Sequence, residues 1–289
     1  MDCNQTKANK YMQIDDVAIL LIHHSKNGVS HRELQKLLYL AQGFYLANNN
    51  GEPLFEEELE AWQYGPVNQT IWHKYKGYGY HTITPHDLPV PTTTQNITAF
   101  IVSLLAAFGT LGQDKLIDYS HVDSPWSTNF VSGINRNLPK EDIRSYFVNF
   151  ASFDEYININ NVKTVFLSLL SDRKQYLSGL PLIGDSWISG KAKAPELISV
   201  NAAIQFLEAL EKSMFSINAK PEIPKLVMGP IPSGGVGIDL IKLNKSMYIH
   251  FHNSGSVDVA KESNGHFEEE ETNLDLFGEE QMDYLKGFV

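Results

Sequence analysis

"LQKLLYLAQGFYLANNNGEPLFEEELEAWQYGPV", Leu34 to Val67, is the stretch on which the reading of this chain turns. It holds a helix, a turn, an acidic run and an aromatic strand in one short span. Leu34, Leu37, Leu38, Ala41 and Tyr45 recur at i, i+3, i+4, i+7 and i+11, the spacing of one apolar face of a long helix. Just upstream, Ser30 and Glu33 form a capping box, in which each side chain satisfies an orphan backbone donor of the first turn. The helix is expected to end near the "NNNG" at 48–51. Glu56, Glu57 and Glu58 read as solvated turn residues. Leu59 to Tyr64 alternates like a short strand. Gly65-Pro66 then breaks it, and Pro66 is placed to open the next helix, with Ile71, Trp72 and Tyr75 facing inward.

Several residues of this stretch suit a binding surface. Lys36, Tyr39 and Gln42 lie at i, i+3 and i+6, on a side of the helix offset from the leucine stripe. Trp62 and Tyr64 alternate, so they point one way on a strand. Gly65 and Pro66 would hold that strand end rigid. Tyr and Trp supply large contact area at little ordering cost, as partner-binding hot spots require. The same residues equally suit the knitting of a core, and both readings stay open.

Working outward, "IDDVAILLIHHSKNG" from Ile14 reads as a helix with acids at its positive end and His23, His24 and Lys26 at the other. Gly28 is its expected stop. The two helices around Gly28 could pass for a helix-turn-helix, whose outer face would offer His31, Arg32, Gln35 and Lys36. That face is thin in basic residues. His81 to Gln95 reads as a loop, "ITAFIVSLLAAFG" as an apolar helix, and "DKLIDYSHVDSPW" as a short helix followed by a capped turn. "LPKEDIRSYFVNF" supplies a last helix of the first unit. Val162 to Tyr176 looks helical, and "SGLPLIGDSWISGKAKAP" looks like a connecting loop. "SVNAAIQFLEALEK" is an amphipathic helix. "GGVGIDLIKLNKSMYIHFHNSGSVDVAKE" alternates as three strands with turns at Asn244-Lys245 and Asn253-Ser254-Gly255.

The predicted fold class is therefore α+β. A mainly helical N-terminal domain with a short strand or hairpin, 1–150, precedes a helical connector and loop, 151–197. A small helix plus antiparallel three-stranded meander follows at 198–262, and 263–289 forms an acidic tail expected to be flexible. The length of 289 residues is that of about two domains. Net charge is −11, divided as −4 for 1–150, +1 for 151–254 and −8 for 255–289. The excess acidity is C-terminal and there is no basic block, which argues against nucleic acid as a partner. The one cysteine, Cys3, has no internal partner and reads as inert. The early apolar run, Val17 to Ile22, is too short to span a bilayer, and no leader pattern accompanies it, so a cytoplasmic protein with no membrane partner is expected.

The sequence pattern offers no catalytic set, no metal site and no cofactor loop. His250 and His252 share a strand face, but no third ligand stands near them in sequence. "PSGGVG" at 232–237 lacks the Lys-Ser/Thr ending of a phosphate loop and leads into a strand. Ser120, His121 and Asp123 crowd together in "SHVD", yet Ser120 and Asp123 read as helix-capping groups.

"LQKLLYLAQGFYL" from Leu34, "PLFEEELEAWQYGPV" from Pro53, "YSHVDSPW" ending at Trp126 and "LPKEDIRSYF" arrive in the order of the Panacea domain, and the chain resembles that family over about residues 13–150. The family includes SocA-type antitoxins and phage-associated GepA-like proteins. Its third motif usually carries Thr before the histidine; Ser120 stands there in this chain. "PEIPKLVMGPIPSGGVGIDL" is similar to a small α+β module of mobile-element proteins, with Leu240 where a Trp usually follows the acidic residue. The resemblance implies an antitoxin that neutralises a cognate protein toxin by direct binding, without catalysis or cofactor. Alternatives within it are an adaptor that delivers a toxin to a cellular protease, or a DNA-binding autorepressor. On the reading of the residues given above, Lys36, Tyr39, Gln42, Trp62, Tyr64, Gly65 and Pro66 are then the candidate partner-binding residues. His121, Pro125 and Trp126 are family-motif positions expected to be structural. The acidic tail could occupy the basic cleft of a toxin, or serve only for solubility.

Overall fold

The computed structural model describes residues 11–84, 88–122, 124–188, 190–216 and 223–272. Cys3, Asp123 and the tail beyond Thr272 lie outside the described residues. Helices and two antiparallel sheets make the chain α+β. It divides into two compact units, Met1–Asn160 and Asn161–Val289.

The first unit is built round one helix. α1 (Ile14–His24) packs on α2 (His31–Asn48), which is capped as the sequence predicts: Ser30 accepts from the Glu33 N–H and Glu33 accepts from the Ser30 N–H. Twelve of the eighteen α2 residues are buried, so α2 is enclosed on nearly every side rather than on one stripe. Gln35 and Lys36, two of the four residues of the predicted outer face, are buried, which leaves His31 and Arg32 of it toward solvent. α1 ends at His24 with Ser25 as its cap; Gly28, at φ +70°, belongs to the following turn and not to the helix stop.

After α2, β1 (Leu59–Trp62) pairs antiparallel with β2 (Gly65–Val67) in the register Trp62↔Gly65. Gln63 and Tyr64 are thus the two turn residues of a tight hairpin, and Tyr64 does not lie on the strand. Gly65 and Pro66 begin β2 instead of breaking the strand. Pro66 has no N–H to donate, and β2 is an edge of the sheet β2-β1-β3, where that lack is tolerated. The next helix, α3 (Gln69–Tyr75), is opened by Asn68, whose side chain accepts from Ile71 N–H. Ile71 and Tyr75 face the core, while Trp72 is half-buried.

The acidic run is not all solvated. Glu57 Oε1 accepts from Ile14 N–H at the start of α1, and Lys140 Nζ bonds Glu58 Oε1 at 2.7 Å. α4 (Gln95–Phe108) is capped by Thr94, and α5 (Gln113–His121) and α6 (Ser124–Asn129) follow. Ser120 lies inside α5, donating to Ile117 O at 2.8 Å, so it does not cap a helix. β3 (Arg136–Leu138) pairs with β1 before α7 (Lys140–Phe147). An aromatic cluster of Tyr39, Phe44, Phe108, Phe147, Phe153 and Tyr156 fills the interior, largely in edge-to-face contacts.

The boundary after Asn160 falls inside a single helix, α8 (Phe153–Gly179). It starts earlier than the Val162 read from periodicity, because Ser152 Oγ accepts from Glu155 N–H and caps it. In the second unit, α9 (Leu197–Ser216) precedes β4 (Lys225–Pro230), β5 (Gly235–Lys242), β6 (Lys245–His252), β7 (Val257–Ser263) and β8 (His266–Thr272). They form one five-stranded meander in sequence order, not three strands. The inward residues of β5 to β7, such as Ile238, Leu240, Ile249 and Phe251, form a core with Phe206, Leu207 and Leu210 of α9. Asn253 fastens α9 to a sheet turn: its Oδ1 accepts from Glu196 N–H and Ser199 Oγ, and its Nδ2 donates to Ala194 O.

Two turns differ from expectation. The β5–β6 turn is Leu243-Asn244, set by the pairing Lys242↔Lys245. The β7–β8 turn is Asn264-Gly265, both at positive φ, as a two-residue hairpin of the preferred hand requires. Residues 263–272, assigned to a flexible tail, are therefore the end of β7, a turn and β8.

Candidate partner-binding groove

Three buried polar side chains of α2 hold the hairpin segment in place. Gln42 accepts from Leu54 and Phe55 N–H at 3.0 and 3.3 Å and donates to Phe55 O at 2.9 Å. Gln35 does the same for Asn68, accepting from its N–H at 2.8 Å and donating to its carbonyl at 3.3 Å. Lys36 Nζ donates to Pro66 O at 3.0 Å. These groups stand in for a neighbouring strand, so residues 54–68 stay ordered beside a helix.

The hairpin is also clasped from α5 and α6. Gly65 sits at φ +95°, and a Cβ there would lie 2.5 Å from Ser120 Oγ and 2.6 Å from Lys36 Nζ. Only glycine admits that approach. Trp126 Nε1 donates to Trp62 O at 2.8 Å. The Trp126 ring is stacked on His121, at 4.4 Å, and on Phe130, at 4.8 Å. Pro125 is buried beside it.

Between these parts lies an open groove of about 640 Å³. One wall is aromatic: Trp62 and Trp72 meet at 5.3 Å, Trp62 Nε1 donates to Glu60 Oε2, and Lys76 Nζ sits 4.4 Å over the Trp72 ring. Tyr64 stands at the rim, 62% exposed. The opposite wall is the turn 130–135, where Val131 bridges Ile134. From α2 come His31, Arg32, Gln35 and Lys36, with Lys36 only 3% exposed, and Val67 and Ile117 add apolar lining. Burial, then the charge of Arg32, pulls the Lys36 ammonium down to a pKa of about 7. Burial and Arg32 also lower His31. His121 is lowered by burial first and by Lys36 second, against the opposing charge of Asp118.

The residues picked from sequence therefore separate. Lys36, Trp62 and Tyr64 line the groove, and Gly65 and Pro66 are buried and hold its hairpin. Tyr39 and Gln42 are sealed in the core, because α2 is enclosed on the side where they lie; Tyr39 packs edge-on to Phe147 at 5.4 Å. Sequence reasoning missed Trp72 as an outward group, Arg32 and Lys76 as groove cations, and the whole 130–135 wall.

Residues 34–127 match the antitoxin SocA-like Panacea domain family. Trp62, Tyr64, Trp72 and Lys76 fall inside the Panacea match, while Arg32 and the 130–135 turn flank it. The chain is also 30% identical over 122 residues to a protein named Antitoxin SocA from Caulobacter vibrioides (strain NA1000 / CB15N). The aligned part covers 38% of this chain and 64% of that relative, less than two thirds of its length. No solved structure matches the chain.

Other chemistry-bearing clusters are sparse. Across the strands of the second unit, His252 Nε2 meets Asp258 Oδ2 at 2.8 Å, so a carboxylate does stand by the histidine pair. The His250 and His252 rings are 6.3 Å apart, and among the described residues no group of three or more His, Cys, Asp and Glu converges on a metal position. Ser120 spends its hydroxyl proton on Ile117 O and is 3% exposed. Among the described residues no single helix is long and apolar enough to cross a membrane.

Proposed function

We propose that the protein is an antitoxin and neutralises a cognate protein toxin by binding it directly, through the groove between the β1–β2 hairpin and the 130–135 turn. The observation that carries this reading is a prebuilt aromatic and cationic groove that overlaps the Panacea match. Its walls are fixed by α2 side chains and by the Trp126 bond, so binding costs little ordering. Tyr64 and Trp62 serve as anchors, and Arg32 and Lys76 steer a partner of opposite charge.

Co-expression with the product of the adjacent reading frame tests the proposal. Growth is expected to be arrested by that product alone and restored by this protein. Tyr64→Ala with Arg32→Ala is expected to lose rescue while keeping its fold by circular dichroism. Full rescue by that double variant would exclude the groove as the binding surface.

A further inference from the structure

The chain carries a net charge of −11, yet among the described residues no Asp or Glu lines the groove, whereas Arg32, Lys36, Lys76 and His31 do. Lys36 is the unusual member. Its buried Nζ donates to the Pro66 carbonyl and meets no carboxylate among the described residues. Removing an ammonium from water without a counter-ion is costly, and a methionine would fill similar space without that cost. A structural role in tying down Pro66 does not by itself require a charge.

We infer that the groove is a receptor for one side-chain carboxylate of the partner polypeptide, an Asp or Glu flanked by apolar residues, seated on Lys36 between the Trp62–Trp72 wall and the 130–135 turn. The inference rests on the proposed function for the partner being a protein. A single carboxylate balances the buried Lys36 ammonium, whereas the further charge of a phosphate group would have to be met by Arg32 and Lys76, which are exposed and screened by water. The aromatic wall and Ile134 take the flanking apolar side chains, and Arg32 and Lys76 at the open side favour an acidic approach.

Seating a carboxylate there draws a proton onto Lys36, because the amine titrates near neutrality in the free protein. The groups facing it are Arg32 and His31 on α2, His121 with Asp118 on α5, and Lys76 on α3. Binding should therefore weaken as pH rises above about 7, a range in which His31 and His121, both lowered from the ordinary histidine value, are already largely neutral and add little change of their own.

The experiment uses the full chain and four probes: acetyl-Leu-Glu-Leu-amide, its Gln counterpart, inorganic phosphate and adenosine monophosphate. Binding is followed by NMR at the indole N–H signals of Trp62 and Trp72. The Glu peptide is expected to bind at least about tenfold more tightly than the Gln peptide, as a charge-assisted hydrogen bond gives. That preference should vanish in Lys36→Met and shrink between about pH 6.5 and about pH 8.5 in the unmodified protein. Equal affinity for the two peptides, no binding of the Glu peptide, or tighter binding of either phosphate compound would overturn the inference. If Lys36→Met does not fold, the pH series decides alone. Growth rescue is scored separately: rescue that survives Lys36→Met removes the carboxylate receptor and leaves the antitoxin reading standing.

Discussion

Lys36→Met offers a stability experiment whose sign is fixed by the structure. The folded pKa of Lys36 is lowered from 10.5 to about 7, chiefly by burial. The unfolded chain therefore binds more protons than the folded one between these values, and stability rises with pH across that window. The drop corresponds to a ceiling of about 4–5 kcal/mol between the charged and neutral forms, at 1.36 kcal/mol per pH unit. Below about pH 7 the native protein bears that full penalty. Methionine removes it but leaves the Pro66 carbonyl without its 3.0 Å donor, at a cost of about 1–3 kcal/mol. The net expectation is a variant more stable than the parent near pH 7, by about 1–3 kcal/mol. The advantage should shrink by about 2–3 kcal/mol on going to about pH 9. Urea unfolding of both proteins at the two pH values measures this, and titrations common to both cancel in the difference. A difference that does not change with pH would refute the claim that a buried, titrating ammonium sits under the groove.

Other substitutions test the frame of the groove. Gly65→Ala forces a Cβ against Ser120 Oγ and Lys36 Nζ at positive φ, and should cost about 2–3 kcal/mol by thermal or urea unfolding; a neutral effect would contradict the close approach. Gln42→Leu strands the Leu54 and Phe55 N–H groups and the Phe55 carbonyl, and should cost about 2–4 kcal/mol. Trp126→Phe keeps the ring stack but loses the bond to Trp62 O, for a loss of about 1–2 kcal/mol and faster hydrogen exchange within β1 and β2.

What the sequence disclosed depended on whether a feature repeats. The α2 helix and its capping box are periodic or local signals, and both form in the structure, although burial extends well beyond the one stripe that the periodicity marked. Polar residues placed inside that helix to satisfy another segment's backbone are neither, so Gln35 and Gln42 look like surface positions until residues 54–68 are seen beside them. β3 has three residues and exists only by pairing with β1. β8 carries no apolar alternation in "HFEEEET", and only the Asn264-Gly265 pair signalled a hairpin. At the site, Trp62 and Tyr64 were legible as aromatics near a Gly-Pro. That dipeptide was read as a break, because the hairpin it begins needs β1 as partner and Lys36 as its buried donor. The 130–135 wall comes from distant sequence and has no pattern of its own.

The most direct test of the whole account is calorimetric binding of the proposed partner, the product of the adjacent reading frame, to the parent and to Tyr64→Ala with Arg32→Ala. The account predicts a loss of about tenfold or more in affinity with the fold intact. Affinity unchanged within about twofold, a difference below 0.5 kcal/mol, would mean that the partner is held elsewhere.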